Sequence, residues 1–273
     1  MSIWMLGGVA SASLGFGLVL FILLITRAPL LFRRLSPDRS GDGSHIYPVY
    51  SNMRLIRLVD YQPIISAILL FQYHRLVSAI VSGLENLDLK DKKVLITSCA
   101  FGNIIPRVVT TAARAGAERV LIADLVGNEL VHARRKLADL PHRVDFIKED
   151  AADMKHDDGT VDANVMFFLL HELPHPSKIR ALNEAARLLR PGGKLFLAEF
   201  HRPDLGILRA MSWLYFKVFE PFGLALWDTH DPLRCLESLG GWACERRTYL
   251  FGNFQLVIAT KLPHDVASLP QTG

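Results

Sequence analysis

A strand that runs into a turn of small residues, and then into a helix, constrains the fold of this chain most. The stretch is DKKVLITSCAFGNIIPRVV, residues 91–109. Its apolar run VLI, residues 94–96, is typical of a parallel strand that is covered on both faces. A turn made mostly of small residues follows at 98–103, and helical spacing begins at Ile104. The stretch therefore predicts the first β-turn-α unit of a nucleotide-binding α/β domain.

Composition narrows the classes of protein. A chain of 273 residues holds one sizeable domain plus an appendage, and a 50% apolar content is high for a purely soluble enzyme. The net charge of +4, without a basic stripe interleaved with aromatics, argues against a nucleic-acid partner and leaves an anionic membrane surface open. Cys99, Cys235 and Cys244 lack metal-ligand spacing, which indicates a reducing compartment without structural zinc.

The N-terminal stretch predicts a membrane anchor. Residues 3–26 carry no charge and are long enough to cross a bilayer core of about 30 Å, so we expect an uncleaved transmembrane helix over residues 1–27. A cleaved signal peptide is the alternative, but no basic residue precedes the apolar run. Arg27, Arg33 and Arg34 follow it, so the positive-inside rule predicts a cytoplasmic catalytic body. Residues 28–45 read as a linker.

Residues 46–90 predict a helical segment. The polar letters QYHR interrupt its apolar run, which argues against a second membrane span. A helix packed on the domain and a helix lying on the membrane both fit this pattern.

Regular alternation of strands and helices then predicts an α/β sheet over residues 91–261. Apolar runs mark strands at 94–97, 119–123, 143–147 and 165–170, and RPGGKLFLAEF marks a turn into a fifth strand. Residues 204–230 are an apolar insertion that fits a lid for a lipid-soluble substrate, a dimer contact or a core helix. Residues 262–273 read as a tail.

Chemically useful side chains follow several of these strands, at the sheet edge where open α/β folds bind ligands. Asp124 fits the acid that binds a ribose diol, although it could instead cap the next helix. Asp150 fits a contact to an adenine amino group, or a solvated loop. His171 and Glu172 offer a base, an acid or metal ligands, and His201 ends the fifth strand on the same edge.

The motif LLRPGGKLFLAEF, Asp124 and the order of strands resemble the class I S-adenosylmethionine-dependent methyltransferase superfamily. The resemblance implies a Rossmann-like seven-stranded sheet, mostly parallel with an antiparallel last strand, and S-adenosylmethionine as cofactor. On the glycine-rich turn of that superfamily, Ser98 and Ala100 replace glycines, Ile96 replaces an acid, and only Gly102 is kept.

The combination of TSCAFGN, FFLLHELP, EFHRP and EPFGLALW is similar to the rhodoquinone biosynthesis methyltransferase-like family, over residues 47–261. That family replaces a ring methoxy group of ubiquinone by an amino group, with S-adenosylmethionine as nitrogen donor and manganese in support. The resemblance implies cofactor contacts at Ser98, Cys99, Ala100, Gly102, Asp124, Leu125, Asp150 and Ala151. It also implies a quinone head near the catalytic residues His171, Glu172, His201, Tyr47 and Tyr50.

One departure bears on function. The family usually has Tyr-Gly-Asp where this chain has Phe101, Gly102 and Asn103. We therefore expect a transferase of a bacterial inner or specialised internal membrane, which moves a methyl or amino group to a prenylated quinone. The alternative is a catalytically altered scaffold or regulator of such a membrane, for example a magnetosome membrane.

Overall fold

The computed structural model of the protein describes residues 53–140 and 143–263. The predicted anchor, the linker, Tyr47, Tyr50 and most of the tail lie outside the described residues. In chain order the helices are α1 Met53–Asp60, α2 Gln62–Ile68, α3 Tyr73–Glu85, α4 Ile104–Arg114, α5 Gly127–Lys136, α6 His175–Leu188, α7 Gly206–Phe219 and α8 Pro232–Leu239. The strands are β1 Lys93–Thr97, β2 Arg119–Asp124, β3 Val144–Lys148, β4 Val161–Phe167, β5 Leu189–Phe200, β6 Trp242–Tyr249 and β7 Phe254–Lys261.

These strands form one seven-stranded sheet in the order β3-β2-β1-β4-β5-β7-β6. Strands β1 to β5 pair in parallel, and β7 runs antiparallel between β5 and β6. The predicted sheet with an antiparallel last strand is therefore confirmed. The strand order reverses between β1 and β4, which is where a sheet of this kind opens a crevice for a ligand.

Both faces of the sheet are covered, as the apolar run of β1 predicts. Val94 and Ile96 pack on one face with α3 and α4, whereas Leu95 packs on the other face with α6. Successive side chains of a strand point to opposite faces, so a central strand of this kind must be apolar throughout.

The segment before the sheet packs on the domain. Helix α3 buries one apolar face, including Tyr73, Leu76 and Ile80, beside α4. Within the described ranges, no single helix is long and apolar enough to cross a membrane. Helices α2 and α3 reach that length only together, and they are bent by 98° at their junction.

The apolar insertion forms α7 and a 3-10 turn, Gly223–Trp227. Phe216 and Leu226 are fully buried in the core, whereas Ile207 and Leu214 are 63% and 58% exposed. The insertion is therefore a core element on its inner face and carries an apolar outer face.

Candidate active site

The turn after β1 adopts the backbone expected of glycines, although serine stands at its start. Ser98 has a φ of +78° and Gly102 a φ of +80°, both in the left-handed region. The Ser98 amide donates to the Ala123 carbonyl at 2.8 Å, which ties the turn to the end of β2. A non-glycine residue in this region costs about 1 kcal/mol, so neighbouring contacts must hold the turn in place.

Asp124, at the end of β2, provides such contacts. Its Oδ2 accepts from the Cys99 amide at 2.6 Å, and its Oδ1 accepts from the Val126 amide at 2.7 Å. Burial raises the pKa of this carboxyl, while these hydrogen bonds and that of the Ser98 hydroxyl act against the rise. Val126 is the N-cap of α5, so Asp124 also holds the amide of the residue at which that helix begins, and both the ribose contact and the helix-capping alternative stay predictions.

Gly102 is held from two helices. The Asp60 carboxylate of α1 accepts from the Gly102 amide at 2.7 Å, and Lys136 of α5 donates to the Gly102 carbonyl. Lys136 and His132 also bind Asp60, at 2.7 and 3.0 Å. Burial acts to raise the pKa of Asp60, but these two partners outweigh it and lower that pKa. Helices α1 and α5 thus close over the turn.

Tyr73 explains why this position keeps its glycine. The Ile104 amide donates to the Tyr73 hydroxyl at 2.8 Å, and that hydroxyl donates to the Phe101 carbonyl at 3.2 Å. A Cβ atom at Gly102 would lie only 2.4 Å from the same hydroxyl oxygen. Only glycine fits between the turn and α3.

Glu129, in the first turn of α5, is a buried acid that sequence reasoning missed. Its side chain is 3% exposed, and within the described residues its Oε1 has no hydrogen-bond partner. Burial, followed by the charges of Asp124, Glu172 and Asp60, raises its pKa to about 9. The feature that could have indicated Glu129 is its position on the buried face of α5, which also carries Leu130 and Ala133.

The other predicted cofactor residues are less closely held. Asp150 Oδ1 accepts from the Ala152 amide at 2.8 Å, so this carboxylate folds back on its own loop. Leu125 is 42% exposed and Ala151 is half-buried. Their contacts to a cofactor stay a prediction.

A buried ion pair follows β4. His171 lies in the 3-10 turn Leu170–Glu172, and its Nδ1 lies 3.0 Å from Oε1 of Glu199 on β5. The same Glu199 oxygen accepts from the His171 amide at 3.2 Å. Burial disfavours the imidazolium, but the Glu199 charge and hydrogen bond outweigh it and raise the pKa of His171. Glu199, near the end of β5, therefore joins the residues that follow β4 to the fifth strand at this edge.

Two further acids stand beside this pair. Glu172 Oε1 lies 3.9 Å from His171 Nε2. One ligand atom each of His171, Glu172 and Glu220 lies within 4.8 Å of the others, a spacing that suits a divalent cation. Lys178 donates to the Leu170 carbonyl at 2.6 Å, and burial lowers its pKa to about 8. Sequence reasoning missed Glu220 and Lys178, because neither follows a strand.

His201 is held elsewhere. Its Nδ1 donates to the Gly252 carbonyl at 2.7 Å, and Arg246 donates to its Nε2 at 3.2 Å. Both ring nitrogens are therefore engaged by the β6–β7 hairpin. Among the described residues, no hydrogen bond joins His201 to His171, and a role for His201 in the same site stays a prediction.

Comparisons with known proteins agree with this architecture. Residues 94–193 match the family model described as a methyltransferase domain. The demethylmenaquinone methyltransferase of Clavibacter sepedonicus is 35% identical over 112 residues, 41% of this chain and 44% of that protein. The ubiquinone/menaquinone biosynthesis C-methyltransferase UbiE of Roseobacter denitrificans is 31% identical over 126 residues, 45% of this chain and 50% of that protein.

A solved structure shows the same fold. The YcgJ protein of Bacillus subtilis superposes with a TM-score of 0.56 at 11% identity, over 70% of this chain and 99% of that one. The chain spans about half the length of the curated relatives named above. Together these findings support the class I S-adenosylmethionine-dependent methyltransferase superfamily for this chain, and they do not reach the finer rhodoquinone-type resemblance.

Proposed function

We propose that the chain transfers the methyl group of S-adenosylmethionine to a reduced, quinone-type ring that is soluble in lipid. The observation that carries this proposal is the buried His171–Glu199 pair, which stands with Glu172 at the sheet edge that also holds the turn of residues 98–103. The activities of the two relatives, a demethylmenaquinone methyltransferase and a ubiquinone/menaquinone biosynthesis C-methyltransferase, support a quinone-type acceptor.

The residues at the turn fit the cofactor. Asp124 presents two carboxylate oxygens at the end of β2, which suits two adjacent ribose hydroxyls. Asp60, Glu129 and Glu172 are further acids that act on one another here, which suits a cationic sulfonium. When bound, S-adenosylmethionine supplies a methyl group on a positively charged sulfur.

The acceptor is activated by side chains of the chain itself. The Glu199 carboxylate raises the pKa of His171, which favours the protonated imidazole, so we assign His171 the role of a donor rather than of the base that the sequence suggested. Its Nε2 is turned towards Glu172, so Glu172 takes the ring hydroxyl proton while His171 stabilises the resulting oxyanion. Glu199 favours the charged form of His171 and orients its ring, and Lys178 fixes the turn that carries His171 and Glu172.

Methyl transfer can be measured directly. The full chain in detergent, given methyl-labelled S-adenosylmethionine and a reduced short-chain demethylated quinone, should yield labelled quinol. The variant Glu199→Gln should lower kcat by roughly tenfold or more, since one lost charge-assisted contact is worth about 1.5–3 kcal/mol. The exposed Asp139→Asn serves as the control. Equal rates in Glu199→Gln and in the wild type would contradict this function.

Membrane anchoring is part of the same proposal. The uncharged residues 3–26, the basic residues that follow them and the exposed apolar face of α7 support a protein held at a bacterial inner or internal membrane, with its domain in the cytoplasm. Flotation of the full chain with anionic vesicles should carry it to the top of the gradient. Recovery of the chain at the bottom would contradict anchoring.

The metal-type spacing of His171, Glu172 and Glu220 favours a second candidate, amino transfer of the rhodoquinone type. One imidazole and two carboxylates fit a divalent manganese ion, which would polarise the quinone oxygens. Mass analysis of ubiquinone incubated with the protein, nitrogen-labelled S-adenosylmethionine and Mn²⁺ separates the candidates. A labelled aminoquinone supports amination, and its absence alongside methylated quinol excludes it. No binding of S-adenosylmethionine at all would leave the scaffold alternative.

A further inference from the structure

Glu129 stands on the face of α5 that meets the cofactor turn. Residues three, four and seven positions apart share one face of a helix, so Glu129 is aligned with His132, Ala133 and Lys136. His132 and Lys136 contact Asp60, and Lys136 also reaches the Gly102 carbonyl. Glu129 begins this row at the end nearest the loop after Asp124.

One oxygen of this carboxyl lacks, among the described residues, the hydrogen-bond partner that normally accompanies a buried acid. Its Oε1 is buried without a hydrogen-bond partner in the described part of the chain. An ionised carboxylate in such a place costs several kcal/mol, so the group keeps its proton instead. The titratable groups around it lie on four elements and on the turn: Asp60 on α1, Asp124 on β2, Glu172 on the 3-10 turn, His132 and Lys136 on α5, and the Cys99 thiol on the turn.

Acids outnumber bases in this group. Asp60, Asp124 and Glu172 all disfavour ionisation of Glu129, whereas Lys136 favours it. Lys136 is already paired with Asp60. The group therefore carries an excess of negative charge, which one more positive charge would offset.

We propose that Glu129 is a specificity-determining residue of the cofactor site: it holds a proton in the free protein and releases it to solvent when the cationic cofactor binds. The carboxyl O–H bond breaks, the proton goes to buffer, and the carboxylate that remains faces the added positive charge. The inference rests on the proposed function, because it assumes that S-adenosylmethionine is the ligand.

The proposal has a consequence for selectivity. S-adenosylmethionine carries a sulfonium, whereas the demethylated product S-adenosylhomocysteine has a neutral thioether. Affinity for the sulfonium should rise with pH, by at most tenfold per unit below about pH 9, the value to which the pKa of Glu129 is raised. Affinity for the thioether should rise less, so Glu129 would favour exchange of product for fresh cofactor.

Calorimetric titration of the full chain at pH 8, in two buffers with different ionisation enthalpies, counts the protons released. We expect the wild type to release about one proton per S-adenosylmethionine, and fewer with S-adenosylhomocysteine. Glu129→Gln should bind without proton release, because its amide is neutral as the protonated carboxyl is. Asp139→Asn, an exposed acid just beyond α5, should behave as the wild type does.

Equal proton release by the wild type and Glu129→Gln, or none by the wild type, would overturn the inference. No binding by the wild type would contradict the proposed function itself, and the inference with it. If Glu129→Gln fails to fold, infrared difference spectra of the wild type provide the test. The band of a protonated carboxyl should disappear when S-adenosylmethionine is added, and a band that persists would overturn the inference.

Discussion

The candidate site has two halves at one edge of the sheet, and they are made of different chemical groups. Beside β1 and β2, the site is made of backbone: the amides of Cys99, Gly102 and Val126 meet carboxylates. Beside β4 and β5, it is made of side chains, chiefly His171 and Glu199. A backbone site tolerates changes of side chain as long as the backbone path is kept, which is why a turn with a single glycine keeps its shape.

The side-chain half should respond most strongly to a single substitution. In Glu199→Gln, His171 stays buried without its charged partner, and breaking such a buried pair costs about 3–5 kcal/mol. Because the pKa of His171 is raised in the folded protein, its protonation stabilises the fold. This stabilisation is fully present below the unfolded-state pKa of about 6.5, and it is lost as the pH rises through the folded-state pKa.

Denaturant unfolding at several pH values measures how the stabilisation by the His171–Glu199 pair depends on pH. The stability difference between wild type and Glu199→Gln should be greatest at pH 6 and shrink as pH rises. Glu245→Gln, which breaks the exposed pair with Arg247, is the matched control and should change little. A difference that grows with pH would contradict the charged pair.

The backbone half should fail where a Cβ atom cannot fit. Gly102→Ala meets the Tyr73 hydroxyl and keeps a left-handed φ, so we expect a loss of roughly 2–4 kcal/mol in the free energy of unfolding. Gly192→Ala is the control, because Gly192 has a φ of +81° but no atom within 4 Å of an added Cβ. That variant should lose only about 1 kcal/mol. Equal losses would show that Tyr73 does not restrict the turn.

The smallest effect should come from the contact between α1 and the turn. Asp60→Asn removes the charge that binds His132 and Lys136 and weakens the hydrogen bond to Gly102 by about 1 kcal/mol. Hydrogen exchange over Met53–Asp60 should become faster, while exchange in β1 stays unchanged. Asp139→Asn should leave both rates as they are. Unchanged exchange in α1 would mean that Asp60 does not hold the helix.

The comparison also shows what a sequence can reveal. Strands follow from local apolar runs, and Asp124, His171 and Glu172 could be predicted because each lies at or shortly after the carboxyl end of a strand. Asp60 could not, since its bond to Gly102 joins positions 42 residues apart with no shared pattern.

The contacts of a side chain at a strand end could not be predicted from the sequence either. His201 directly follows β5, close to the predicted strand end, but the β6–β7 hairpin supplies partners for both of its ring nitrogens. Position at a strand end fixes the edge on which a residue lies, whereas the contacts of its side chain depend on elements that come later in the chain.

The most direct test of the account is calorimetric titration of S-adenosylmethionine into the wild-type chain and Asp124→Asn. The account predicts binding by the wild type and at least tenfold weaker binding by the variant, about 1.4 kcal/mol, because an amide cannot accept at both positions as the carboxylate does. Equal affinities, or no binding by the wild type, would contradict it.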